Sequence, residues 1–227
     1  MRTAAVVART SQVVFADLGD ALLALHGPEV EPFPFSLVVE APPPGDDLRV
    51  GDGVVVAGGR RTAARRVAPA VAGPPGVGAS AMRRALEAVP GLAARAEAIG
   101  PLADPDRLLG RGPGLTPAGD DALVGYIAMA AHARAAWGLP DPAPLAAALA
   151  ARAPGRTTRV SAALLAAAAD GRYAPVLGAV CRAGPDALPA AVARLAAIGA
   201  TSGLDTLVGV GAACGVSPPP RWEPAAP

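Results

Sequence analysis

The stretch GRGPGLTPAGDDALVG, Gly110 to Gly125, sets four glycines and two prolines ahead of two adjacent aspartates, and the chain then turns apolar. Thr116 suits a helix N-cap, Pro117 the first helical position, and Asp120 and Asp121 the first turn. Backbone N–H groups at a helix start behind a glycine loop form an anion site. Gly112, Gly114 and Thr116 are therefore candidate binding groups, and Arg111 would add a guanidinium fork suited to phosphate or carboxylate. Capping alone explains Thr116, Pro117 and one aspartate. It leaves the second aspartate and the glycines at 110, 112 and 114 unexplained.

A second stretch, TSGLDTLVG at Thr201 to Gly209, has Ser202 and Asp205 at the spacing of a capping box. Laid over the first, it repeats Gly, Asp, Leu, Val and Gly at the same offsets: Gly119 matches Gly203, Asp121 matches Asp205, and Gly125 matches Gly209. Such an echo fits a duplicated helical unit with approximate two-fold symmetry. Gly125 and Gly209 lie four residues after the aspartates, on the same helix face, where small residues allow close approach. Asp121 and Asp205 would then face each other across one pocket, with Ser202 and Gly203 as candidate substrate-binding groups. Only Asp121 of the first pair has a counterpart, so it is the stronger candidate than Asp120.

The third polar stretch is RTTRVS, Arg156 to Ser161. Thr157 or Thr158 can cap a helix there, and Thr158 and Arg159 are candidate anion contacts beside the plainer reading of a capped, arginine-decorated start. His132 follows Asp121 by eleven residues, about 16 Å along a helix, too far to share its site. His26 sits in LALHGPEV at an expected turn. Two histidines, neither beside a nucleophile or a zinc motif, argue against a Ser-His-Asp triad or a catalytic zinc. An oxygen-rich magnesium site built from Asp120, Asp121 and Asp205 stays open.

All twenty basic residues are arginine, which excludes a P-loop lysine, a Schiff base and a lysine general base. A formal charge of +1 with no stacking motif argues against a nucleic-acid partner. Cys181 and Cys214 form no framework, which fits a reducing cytoplasm. Arg9 cuts the opening apolar run below signal-peptide length, and the longest apolar run, Ala122 to Ala131, is about half a bilayer span. No membrane partner is expected.

These residues need a frame. Residues 1–70 read as a β-rich domain with strands in AAVVA, QVVFA, FPFSLVVE and GDGVVVAGG, and a short helix over Leu18–Leu25. Residues 71–79 read as a linker and 80–216 as a helical domain. Its helices are expected near 79–89, 91–99, 116–137, 142–153, 157–170, 174–183, 186–197 and 202–215. The proline-rich tail, 217–227, reads as disordered. The fold class is thus α+β: a small β barrel or sandwich, then a mostly α-helical domain with an internal pseudo-two-fold repeat. With aromatics at only 3%, the core must be Ala, Leu and Val, which favours close helix packing.

The motif GRGPGLTPAGDD (110–121), the run TTRVS (157–161) and the late TSGLD (201–205), in this order, resemble a bacterial family first catalogued as a domain of unknown function. Its members include the helical subunit of oxamate carbamoyltransferase, from purine and allantoin degradation. The N-terminal strands are similar too, so the resemblance spans nearly the whole chain. Ala118 departs from it, standing where the family more often has serine. RTTR is also loosely similar to the Ser-Thr-Arg-Thr turn with which aspartate and ornithine carbamoyltransferases hold carbamoyl phosphate.

The resemblance implies a subunit of a hetero-oligomeric transferase acting between carbamoyl phosphate plus oxamate and oxalurate plus phosphate. A small anionic substrate would sit at the glycine-rich helix starts, with Arg111 and Arg159 neutralising charge. Asp121 and Asp205, with Asp120, would act as the catalytic acids that orient an amide or carbamoyl nitrogen, or hold magnesium. The alternatives are a non-catalytic assembly subunit of such a complex, or a magnesium-dependent small-molecule or nucleotide-binding enzyme.

Overall fold

A computed structural model describes residues 1–216 and Pro220, so the tail expected over 217–227 lies, apart from Pro220, outside the described residues. The chain forms two compact units, the first Met1–Pro69 and the second beginning at Ala70. Its fold is α+β, an eight-stranded near-barrel sheet followed by a helical region.

The first unit holds β1 (Arg2–Arg9), β2 (Val13–Asp17), β3 (Leu22–His26), β4 (Ser36–Val38), β5 (Leu48–Gly51), β6 (Val54–Ala57), β7 (Arg60–Ala63) and β8 (Arg65–Arg66). They hydrogen-bond in the order β7-β6-β5-β1-β2-β3-β4-β8. Neighbours are antiparallel except β3 and β4. Val14, Ala16, Leu23, Leu25, Leu37, Leu48 and Val55 fill its core.

The short helix expected over Leu18–Leu25 is instead a turn followed by β3. Gly19, at φ 91°, makes the turn, and its N–H donates to Asp17 Oδ1 at 2.8 Å. Every residue of β3 is buried, and a strand inside a sheet needs no amphipathic pattern. His26 lies within β3 rather than at a turn, its Nε2 2.7 Å from Ser36 Oγ.

The second unit holds β9 (Ala70–Val71), α1 (Ala79–Glu87), α2 (Leu92–Ile99), α3 (Pro105–Leu108), α4 (Ala118–Trp137), α5 (Ala143–Arg152), α6 (Arg159–Ala169), β10 (Arg172–Tyr173), α7 (Pro175–Arg182), α8 (Leu188–Ala196) and α9 (Ser202–Ala213). Each expected helix is present, and the four-residue α3 adds one. Val71, at the start of the expected linker, pairs in strand β9 with Arg172 of β10.

Helix α4 is apolar on almost every side and buried along most of its length, so it is the central helix of this unit. Its closest neighbour is α9. A Cβ at Gly125 would overlap the carbonyl oxygen of Thr206, and a Cβ at Gly209 would overlap that of Ala122. In the repeat Gly125 matches Gly209 and Ala122 matches Thr206, so the contact is reciprocal, as a two-fold relation requires. Gly119 and Gly203 extend the pattern, each seated against the last turn of a preceding helix, at Leu108 of α3 and Leu195 of α8. Among the described residues, no helix is long and apolar enough to cross a membrane.

The crossing tolerates no side chain, because the obstructing atoms are backbone. Gly125→Ala and Gly209→Ala should each destabilise the helical unit by roughly 1–3 kcal/mol or more, the cost of overpacking a rigid core. Gly184, with nothing within 4 Å of an added Cβ, is the control. Gly184→Ala should change stability by less than about 0.5 kcal/mol in the same urea titration.

Candidate functional site

The segment before α4 is pinned from several directions. The N–H of Gly110 donates to Asp120 Oδ1 at 2.8 Å, and the Thr157 hydroxyl donates to Asp120 Oδ2. Arg111 N–H donates to Leu108 O at 2.8 Å, Gly119 N–H to Arg111 O at 2.9 Å, and the Arg111 guanidinium to Ile99 O at 2.9 Å. From the far side Thr158, the N-cap of α6, receives the N–H of Ser161 at 3.0 Å and donates its hydroxyl to Leu115 O. Buried Asp120 is thus a loop-bracing residue, and the two threonines divide their work: Thr158 caps while Thr157 holds Asp120.

With the loop so braced, the N–H groups of Gly112, Gly114, Leu115, Thr116 and Ala118 meet no acceptor among the described residues. Gly112 has φ 120°, a conformation that favours glycine, and a Cβ there would come within 2.8 Å of Ala118 N. With no Cβ at Gly112, the Ala118 N–H is left uncrowded on that side. The free N–H of Ala118 is the first of α4, at the positive end of its dipole.

Two sequence expectations about capping are overturned here. Helix α4 starts at Ala118 with Pro117 as its N-cap, one residue later than expected. Proline has no hydroxyl to fold back on the helix, and Thr116 Oγ1 is engaged elsewhere, 2.8 Å from Ser202 Oγ. Nor do Ser202 and Asp205 form a capping box: α9 begins at Ser202 with Thr201 as N-cap and no side-chain cap. Both side chains are drawn to partners outside their own helix.

Asp121 bonds to both hydroxyls of that pair, Thr116 and Ser202, and so ties the start of α4 to the start of α9. Burial pushes its carboxyl up to about 8; the hydroxyl bonds oppose this, and the nearby Asp205 and Asp120 add to it. Asp121 Oδ2 is buried with no hydrogen-bond partner, which an anion would tolerate poorly.

Asp205, its repeat counterpart, has a different partner. Its Oδ1 accepts from Arg95 Nε at 2.7 Å, with Arg95 Nη2 at 2.5 Å. Arg95, on α2, was not singled out from sequence. It lies in LAARAEAI, an ordinary alanine-rich helix with an arginine, and nothing local marks it. With Ile99, Arg111, Gly112, Ala118 and Gly119 it lines a cleft of about 150 Å³. The cleft is thus lined by two arginines and by Gly112 and Ala118, whose N–H groups meet no acceptor among the described residues.

The predicted residues therefore divide. Arg111 and Gly112 line the cleft, whereas Asp120, Asp121, Thr116, Thr158, Ser202 and Asp205 brace the elements around it. Gly203 is a packing position. Exposed Arg159 opens α6 and is not part of the cleft lining. Among the described residues, no group of three or more His, Cys, Asp or Glu side chains is placed to hold a metal ion. The expected magnesium set of Asp120, Asp121 and Asp205 is not assembled, because the three acids are engaged by Thr157, by two hydroxyls and by Arg95. His132 is a buried core histidine, its Nδ1 2.8 Å from Ala128 O and its Nε2 without a partner.

The state of Asp121 sets a pH dependence. Its unfolded carboxyl releases a proton near 3.8 and its folded one at about 8. Between these values the folded state holds the extra proton, so stability is fully present below about pH 4 and lost as pH rises through about 8. The loss should reach the order of a few kcal/mol. Asp121→Asn, an uncharged isostere, should flatten that slope in urea titrations run across the window. An equal slope in the variant would contradict a protonated Asp121.

Residues 108–214 match the family model described as AllH, oxamate carbamoyltransferase subunit AllH. No curated protein and no solved structure matches the chain. The matched segment runs from the end of α3 to Cys214, just past α9, and contains the glycine loop, both helix starts and Asp205. Over that segment, which holds the glycine-rich motif and the late helix start, the chain is similar to the AllH family of oxamate carbamoyltransferase subunits.

Proposed function

We propose that the chain is the subunit of an oxamate carbamoyltransferase complex that holds the anionic reactant, at the cleft where the glycine loop meets α4. One observation carries this reading: Arg95 and Arg111 line the same small cleft as Gly112 and Ala118, whose N–H groups have no acceptor among the described residues. Guanidinium forks and helix-start amides are the two groups that proteins use most directly on phosphate and carboxylate.

The reaction suits such a site. The oxamate amide nitrogen attacks the carbamoyl carbon, a C–N bond forms, and the C–O bond to phosphate breaks. The amide proton leaves with the phosphate, so the products are oxalurate and hydrogen phosphate. Charge gathers on the departing phosphate, and fixed donors that stabilise it lower the barrier without a covalent nucleophile. Arg111 and the N–H groups of Gly112 and Ala118 are the donors we assign to it. The other reactant and the proton path belong to the remaining subunits in this reading.

A second reading has an observation of its own. Asp120, Asp121, Asp205, Thr116, Thr157 and Ser202 all find partners inside this chain, as in a subunit whose motifs serve assembly. Gly112→Ala and Arg111→Ala separate the two in the complex reconstituted with its partner subunits. The first crowds the free N–H of Ala118 and the second removes a cleft charge. Each should lower oxalurate formation from carbamoyl phosphate and oxamate at least about a hundredfold, the scale of a lost oxyanion donor, while assembly survives. Full activity in both variants would favour the assembly reading.

A further inference from the structure

We infer that Arg95 is the anchoring guanidinium for the oxyanion in this cleft, and that Asp205 is the positioning residue that holds it there. The inference rests on the anion-site reading above and assigns roles that the family match does not.

Arg95 projects from α2, and Asp205 lies in the first turn of α9. Both Nε and Nη2 approach the same carboxylate oxygen, Oδ1, at 2.7 and 2.5 Å. A guanidinium carries five N–H donors in a fixed planar fork, so this contact spends one edge and leaves the rest. Nη1 has no partner among the described residues, and Arg95 is part of the cleft wall.

Asp205 is 1% exposed, whereas the Arg95 side chain is 28% exposed. Here the carboxylate is sealed under the cation and the cation faces a concave surface with Arg111, Gly112 and Ala118 around it. Without Asp205 the long arginine would sample many rotamers, and ordering it on a ligand would cost entropy.

Comparison of the two halves of the repeat supports the assignment. Asp121 holds the same place in α4 as Asp205 in α9, yet its partners are the hydroxyls of Thr116 and Ser202, with no cation. The two acids have diverged. One joins the helix starts to each other, and the other joins a helix start to an arginine. Ala118, the counterpart of Ser202, brings no hydroxyl to compete for Asp205, and so leaves it to Arg95.

A double-mutant cycle tests this on the full chain. Binding of inorganic phosphate and, separately, of oxamate is measured by calorimetry for the wild type, Arg95→Ala, Asp205→Asn and the double variant. The two probes distinguish a phosphate subsite from a carboxylate subsite. For whichever anion binds, each single variant should weaken binding about tenfold or more, and Asp205→Asn should cost nothing further once Arg95 is gone. Arg95→Lys, which keeps the charge but not the fork, should fall between wild type and Arg95→Ala. If Asp205→Asn does not fold, Asp205→Glu, which displaces the guanidinium while keeping the pair, replaces it with the same expected non-additivity. Additive effects would overturn the positioning role. Unchanged affinity in Arg95→Ala, with loss in Arg111→Ala, would overturn the inference but keep the anion site. No binding of either anion by the wild type would overturn both.

Discussion

The polar cluster at the starts of α4 and α9 depends on one close contact, the backbone-to-backbone crossing of these two helices. Gly125 lies against the carbonyl of Thr206, and Gly209 against the carbonyl of Ala122. Two helices that touch at their backbones have fixed spacing and register, with no side-chain layer to adjust. That fixes where their first turns lie, and the first turns carry the acids and hydroxyls. Ser202 can reach Thr116 and Asp121 only because the crossing sets the two helix starts side by side.

The repeat produces a symmetrical scaffold with an asymmetrical site. Glycines at matching places seat both helices against their preceding turns. The aspartates at matching places then part company, Asp121 beside the hydroxyls of Thr116 and Ser202 and Asp205 as the partner of Arg95. On the first side the helix start is preceded by a glycine loop whose N–H groups are left open; on the second it is preceded by α8 and a short turn. A duplicated unit can thus retain its packing while one copy is preceded by a glycine loop with open amides.

How much of this could be read from the sequence depended on whether the cause was local. The glycine-to-glycine echo was legible because both members of the contact lie in matching strings, and their spacing alone places them on one helix face. The nearness of Asp121 and Asp205 followed from the same match, but neither acid lines the cleft that the match led one to expect between them. Their partners could not be read. Thr116 and Ser202 each carry a capping signature, but tertiary bonds outcompete the local caps. Arg95 was invisible because its meaning comes from Asp205, 110 positions away on another helix. In the first unit, the buried strand Leu22–His26 looked helical because continuous apolar sequence has no period to betray it.

The central claim is that the open amides of the glycine loop and the α4 start bind an oxyanion. The most direct measurement is a titration of the isotopically labelled chain with inorganic phosphate and carbamoyl phosphate, followed by the backbone amide resonances. The account predicts saturable shifts of the amides of Gly112 and Ala118, two cleft-lining residues whose N–H groups meet no acceptor among the described residues. Amides of Gly110 and Gly119, already donating to Asp120 and Arg111, should move far less. Shifts confined to other parts of the chain, with Gly112 and Ala118 unmoved at saturation, would contradict it.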